Sequence, residues 1–335
     1  MIKLDKNRLD NLFNTINDLK IAVVGDIMID QYFWGKTNRI SPEAPVPVVD
    51  IYKEEFKPGG AANVAFNIRS LHATTYMVGT IGDDDSGKKL LLDFDKRKVD
   101  STGLATDKTR PTTVKTRVLA AGQHVIRYDN ESNEDISIEV EKVLLANLTN
   151  KIKNIDGIIL EDYNKGVLTE NLIKNIIKLA NENDKIVCVD PKLKNFQCYK
   201  NSTLFKPNLL EAEQILKREI ITDKEIEIAG FELMKLLNTK YIVITLSERG
   251  MAIFKRNSDM KIIPARTTKI ANVSGAGDTV IATLTTMLAA GADLKEACTL
   301  ANYAASVVVE DVSIVPITRD ALYDRLLEAG AIISN

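Results

Sequence analysis

Four consecutive residues, Gly275, Ala276, Gly277 and Asp278, could together hold an anion and move a proton. From Thr279 to Ala290 the chain then runs without glycine or proline, rich in Ala, Leu, Thr and Met. That pattern predicts a buried helix entered from a tight loop. Small residues at such an entry leave backbone N–H groups free to face an anion, and the helix dipole adds positive potential. A carboxylate beside that anion hole can take a proton from a hydroxyl while the amides hold the charge developing opposite. Asp278 is therefore the candidate base. An aspartate that merely caps a tightly packed helix would use the same residues.

Other groups with chemical potential stand where apolar segments end. Asp26 and Asp30 follow the strand pattern of residues 20–25, and ligands of open α/β sheets bind at the carboxyl ends of strands. Each carboxylate can accept several hydroxyl donors, which suits a sugar. Gly59 and Gly60 let backbone approach a ligand, with Asn63 as a polar handle on the helix that follows. Four later clusters share the strand-end position. They hold Glu161, Asp162 and Lys165; Asp190 and Lys192; Lys206, Asn208 and Glu211; and Thr245, Ser247, Glu248 and Gly250. Asn208 and Glu211, three apart at a helix start, suit a hydrated magnesium ion, although an N-cap with a first-turn glutamate has the same spelling. The segment from Gly82 to Lys89 nearly spells a phosphate-binding loop. It fails because Lys89 replaces the required hydroxyl and three aspartates line the loop, so an ordinary turn before a helix is expected.

The elements that must position these groups follow from periodicity. Residues 3–19 have amphipathic helical spacing, and from about residue 141 helical and strand patterns alternate. Strands are expected at 156–160, 185–190, 204–206 and 241–245, with helices such as 171–183 and 224–237 between most of them. This predicts one α/β domain over residues 1–335 with a mainly parallel sheet. Residues 36–52, interrupted by Pro42, Pro45 and Pro47, and residues 112–128, with a turn at Gly122, lie outside the alternation. They are expected to form a small β-sheet lid over a cleft. A chain of 335 residues with 45% hydrophobic content can bury such a core. The net charge of −2 argues against nucleic acid as a partner, and no apolar run reaches membrane-spanning length. Three scattered cysteines and two histidines support neither disulfides nor a zinc site, so a soluble cytoplasmic protein is expected.

Taken in order, these segments resemble the ribokinase-like (PfkB-type) carbohydrate kinases over nearly the whole chain. The resemblance rests on residues 59–63, 275–278 and the Asn208/Glu211 pair between them. It implies a three-layer fold and ATP-dependent phosphorylation of a sugar with Mg2+. Asp278 would then be the base and residues 275–277 the anion hole. Asp26, Asp30, Gly59, Gly60, Asn63 and Asp162 would bind the sugar, and Asn208 and Glu211 would serve Mg-ATP. Thr245, Ser247, Glu248 and Gly250 would lie along the nucleotide. Residues 25–30, 39–49, 58–65, 162–166 and 190–192 are more narrowly similar to bacterial D-glycero-D-manno-heptose 7-phosphate kinases. Those enzymes make the 1,7-bisphosphate for lipopolysaccharide heptose. A substrate that already carries phosphate needs cations, for which Lys115, Arg117, Arg127, Lys165 and Lys192 are candidates. A homodimer through the lid segments is also implied.

Two residues depart from the family pattern. Asn272 stands where Asp is usual, and Val312 where Gly is usual, in loops that hold a monovalent cation in relatives. The expectation is therefore weak potassium activation or none. A kinase for another sugar or sugar phosphate, and a catalytically weak sugar-binding regulator, are the competing readings.

Overall fold

The computed structural model describes residues 3–266, 271–311 and 314–333, so Val312 falls outside the described residues. After β1 (Leu4–Asp5), α1 (Lys6–Ile16) leads into β2 (Lys20–Gly25) and two long strands, β3 (Ile27–Ile40) and β4 (Pro47–Gly60). Next come α2 (Ala61–Ser70), β5 (Thr74–Ile81), α3 (Asp85–Lys96) and β6 (Asp100–Thr106). A hairpin of β7 (Thr113–Ala120) and β8 (Gln123–Asn130) follows. The chain then alternates through α4 (Ile138–Lys151), β9 (Gly157–Glu161), α5 (Glu170–Glu182), β10 (Ile186–Asp190), β11 (Leu204–Phe205), α6 (Leu209–Leu216) and α7 (Asp223–Leu237). Strands β12 (Tyr241–Thr245), β13 (Met251–Lys255) and β14 (Lys261–Ile263) precede α8 (Ala276–Ala289), α9 (Leu294–Val308), α10 (Arg319–Glu328) and β15 (Ile332–Ile333).

One sheet has the order β14-β13-β12-β11-β10-β9-β2-β5-β6. Every pair from β12 to β6 is parallel, and β13 and β14 run antiparallel at one edge. Alternate residues of β2 enter opposite cores. Ile21 and Val23 join Phe66, Ile281 and Leu300, whereas Ala22 and Val24 join Leu144, Ile173 and Leu233. Helices thus cover both faces, which is why the strands read as unbroken apolar runs. The expected three-layer α/β fold is present. Because β2 lies between β9 and β5, the chain winds outward from it both ways, and a crevice opens at the carboxyl ends nearby.

A second sheet has the order β4-β3-β7-β8. It is larger than residues 36–52 and 112–128 led us to expect. β3 starts at Ile27 and β4 runs on through Gly60, so both reach back to the main sheet. The prolines misled here: Pro42 and Pro45 lie in the turn between the two strands, while Pro47 and Pro58 sit on the edge strand β4, where a missing N–H is tolerated. At the opposite edge β8 is exposed along its whole length. The near phosphate-loop at Gly82 is a turn before α3, with Asp84 accepting the Gly87 N–H as its cap.

Candidate active site

α8 begins on Gly275, whose left-handed φ of 81° suits glycine, and no side chain caps it. The Gly277 and Asp278 N–H groups precede any intrahelical acceptor and remain available to an anion. A Cβ on Gly277 would face Asp190 Oδ2 at 3.7 Å and Lys206 Nζ at 3.8 Å, so the absent side chain leaves space between the helix start and those charges. Asp278 is buried in the first turn. The Asn63 side-chain amide donates to its Oδ2 at 2.7 Å, and the Tyr163 hydroxyl donates to its Oδ1 at 2.8 Å. Burial outweighs both donors and pushes the Asp278 carboxyl up to about 6, near the pH at which a base is most effective. Burial, and then the Asp278 charge, hold the Tyr163 phenol well above its ordinary range, so it stays a donor. Sequence reasoning missed Tyr163, whose one signal was its place in the strand-end cluster.

Beside this pair, ligand oxygens of Glu161, Asp190 and Asp278 lie within 4.8 Å of one another. Lys206 Nζ stands 2.8 Å from Asp190 Oδ2, and both groups are buried. Burial works against the Lys206 charge, but Asp190, Glu211 and Glu161 together more than offset it. Both carboxylate oxygens of Glu161 are buried, with no hydrogen-bond partner among the described residues. Burial, then Asp190 and Asp278, raise this carboxyl well above its ordinary value. An orphaned buried carboxylate is costly, and hard oxygens converging at this spacing fit a divalent cation. Asn208 and Glu211, the pair expected to serve magnesium, form a capping box. Asn208 Oδ1 accepts the Glu211 N–H at 2.8 Å, and Glu211 Oε2 accepts the Asn208 N–H at 2.9 Å. Glu211 Oε1 also takes the Lys192 ammonium, so these side chains are engaged. Lys192, expected on the sugar phosphate, sits between Glu211 and the Tyr163 ring, 5.5 Å from its centroid.

Two further acids are spent on the fold. Asp26 accepts backbone N–H groups from Tyr163, Lys165 and Val167 at 2.8–3.1 Å, which fixes the loop carrying Tyr163. Burial and the nearby Asp162 push the Asp26 carboxyl up to about 6. Asp162 accepts the Tyr199 hydroxyl and the Asn164 N–H. Asp30 is held by the Arg117 guanidinium. A Cβ on Gly59 would stand 2.5 Å from Asp30 Oδ2, and Gly60 has φ 54° with its Cβ position 2.6 Å from Asp26 O. The paired glycines therefore admit the chain's own Asp30 and Asp26 groups. Lys115, Arg127 and Lys165 do gather, on acids of β8 and the residues just after it. Lys115 and Lys165 share Glu131 at 2.8 and 2.6 Å, and Arg127 meets Asp129 at 2.7 Å.

A cavity of about 500 Å3 lies over the start of α8. Thr245, Ser247, Glu248 and Gly250 line it together with Ala276 and Gly277, so the expected nucleotide residues and the anion hole share one space. Asn302 and Ser306 of α9 complete the wall; they left no local signal, because α9 reads as a plain amphipathic helix. In the loop before α8, Asn272 Oδ1 accepts the Ser274 N–H at 2.9 Å, and the Asn272 N–H donates to Val309 O.

The family described as pfkB family carbohydrate kinase matches residues 18–317. The chain is 43% identical over 290 residues to the bifunctional protein HldE of Helicobacter pylori strain J99, covering 87% of this chain and 62% of that one. It is 35% identical over 323 residues to the HldE of Syntrophotalea carbinolica, covering 96% and 66%. It thus spans less than two thirds of the length of these relatives. Among solved structures, phosphofructokinase-2 from Escherichia coli in complex with potassium superposes with a TM-score of 0.76 at 18% identity, over 93% of this chain and 99% of that one. Arabidopsis thaliana ribokinase complexed with ribose and ATP gives 0.71 at 18%, over 92% and 98%.

Proposed function

Because the chain belongs to the pfkB family of carbohydrate kinases, we propose that it uses ATP to phosphorylate the anomeric hydroxyl of D-glycero-D-manno-heptose 7-phosphate. The observation that carries the chemistry is Asp278: a buried carboxylate in the first turn of a glycine-entered helix, beside a cavity that reaches the same glycines. The substrate follows from the HldE relatives, which match most of this chain.

In this reading the Asp278 carboxylate takes the hydroxyl proton as the sugar oxygen attacks the terminal phosphorus, and ADP leaves. The Gly277 and Asp278 amides face the oxygens of the moving phosphoryl group. Lys206 adds fixed positive charge on the same side. Phosphoryl transfer asks for alignment and charge stabilisation more than covalent help, which a rigid buried site supplies. Glu161 and Asp190 are the residues that would hold a magnesium ion, which neutralises phosphate charge when bound. Lys115, Arg117, Arg127 and Lys165 would receive the 7-phosphate by exchanging their present carboxylate partners for it.

The bare side of the small sheet supports a homodimer. Ile126 and Tyr128 of β8 are 56% and 51% exposed, and Tyr52 and Phe56 of β4 are 65% and 39% exposed. Large apolar side chains left exposed on both outer strands suit a surface covered by a second copy. Within the lid segments, Val114 and Thr116 are buried in the chain, whereas Val46 is 51% exposed. The direct test of function is a coupled ADP-release assay with heptose 7-phosphate, fructose 6-phosphate and ribose, with the product identified by mass spectrometry. Preference for either of the latter two sugars would overturn the heptose assignment.

A further inference from the structure

A second groove, of about 610 Å3, runs along the outer edge of β14 and the adjoining face of α9. Its lining among the described residues includes Lys3, Lys261, Arg266 and Lys295, and no aspartate or glutamate. Among the described residues none of these four cations has an ion-pair partner, and Glu296, next to Lys295, is already bound to Arg8 at 3.1 Å. Four uncompensated charges stand out in a chain whose net charge is −2. The floor is polar as well. Tyr303 lines the groove, 1% exposed, with a hydroxyl that has no hydrogen-bond partner, and the Arg266 guanidinium lies 5.8 Å from its ring centroid. Arg266 and Asn302 belong to this groove and also to the neighbouring 500 Å3 cavity.

We propose that this groove is a second anion site, taking a phosphate-bearing metabolite whose presence changes nucleotide affinity next door through Arg266 and Asn302. The coupling rests on the reading of that cavity as the nucleotide site; the anion site does not. A phosphate group meeting several cations is bound by charge-assisted hydrogen bonds, which weaken as salt rises. The same chemistry could come from a nucleotide or from a sugar phosphate.

The test titrates pyrophosphate into the full chain by calorimetry at low ionic strength, with the nucleotide cavity saturated by a non-hydrolysable ATP analogue. The expected result is one pyrophosphate site, weakened about tenfold or more in Lys261→Glu/Lys295→Glu. Both lysines are exposed, so matched thermal midpoints will show that the variant folds. The analogue's own Kd should shift about fivefold with pyrophosphate in the natural chain and stay constant in the variant. Competition by ADP or by a hexose 6-phosphate then names the source, whichever displaces pyrophosphate at the lower concentration. Equal pyrophosphate binding by both proteins, or none once the analogue is bound, overturns the site. An unmoved analogue Kd overturns the coupling alone. Failure of both proteins to bind the analogue would count against the nucleotide cavity instead.

Discussion

Along the nine-stranded sheet, β9 is buried at every residue, and the buried acids at the ends of β9 and β10 lie beside Lys206 and the start of α8. Along the four-stranded sheet, β8 is exposed at every residue, and Lys115 of β7 and Arg127 of β8 share Asp129 at its half-buried side chain. The two regions therefore use charge differently. In the buried region, burial itself sets the chemistry by lifting the carboxyls of Asp278 and Glu161. In the exposed region, the Glu131 and Asp129 carboxyls are drawn below their ordinary values: the Arg127 hydrogen bond leads at Asp129, whereas at Glu131 the Lys115 and Lys165 hydrogen bonds outweigh burial. In the proposed reading, a substrate phosphate would displace one carboxylate partner of these half-buried cations. On that reading, the buried interior would carry the chemistry and the small sheet the recognition.

The contrast is broken most directly at its buried end. Asp278→Asn should lower kcat by roughly 10²–10⁴-fold while ATP binding persists. Steady-state kinetics with calorimetry of ATP binding measures both, and near-normal turnover would remove Asp278 from the mechanism. At the exposed end, Lys165→Ala should raise KM for the 7-phosphate sugar by about 10- to 100-fold, with less effect on any accepted free sugar. Lys192→Ala sharpens the division, because Lys192 sits on Glu211 beside Tyr163. It should act on kcat and on KM for ATP instead, and a selective loss of the phosphorylated sugar would return Lys192 to the exposed group.

Ile126→Glu tests whether the bare sheet is completed by a second copy. Analytical ultracentrifugation should show dimer affinity reduced at least about tenfold, equivalent to about 1.4 kcal/mol. A natural chain that is monomeric at micromolar concentration would remove the dimer.

The smallest expected effect is the most diagnostic of burial. The carboxylate is the active form of Asp278, so kcat/KM should rise as pH climbs through about 6 and level off above it. The Tyr163 hydrogen bond favours that carboxylate. Tyr163→Phe removes it, so the midpoint should move to higher pH while kcat at pH 8 falls about three- to tenfold. A profile that keeps its midpoint would mean that Tyr163 only fills space.

The sequence by itself determined which residues stand at the strand ends. Apolar runs such as 156–160 and 241–245 must be buried strands, so the polar residues after them must line the carboxyl edge. It also determined the entry to α8, because Gly275 and Gly277 between a polar loop and an apolar run leave few other conformations open. Tertiary structure alone decided which strand-end groups remain available. Asp26 and Asp30 look equivalent in the chain, yet Asp26 is consumed by amides 137 to 141 residues away, and Asp30 by Arg117. Asn208 and Glu211 satisfy each other locally, while Glu161, a plain strand terminus in sequence, is left without a partner in the interior. Tyr163 meets Asp278 across 115 residues of chain. Hydrophobic periodicity is a local property and survives in the sequence. Whether a buried polar group finds a partner depends on which distant elements pack against it, and that is settled only when the sheet and α8 come together.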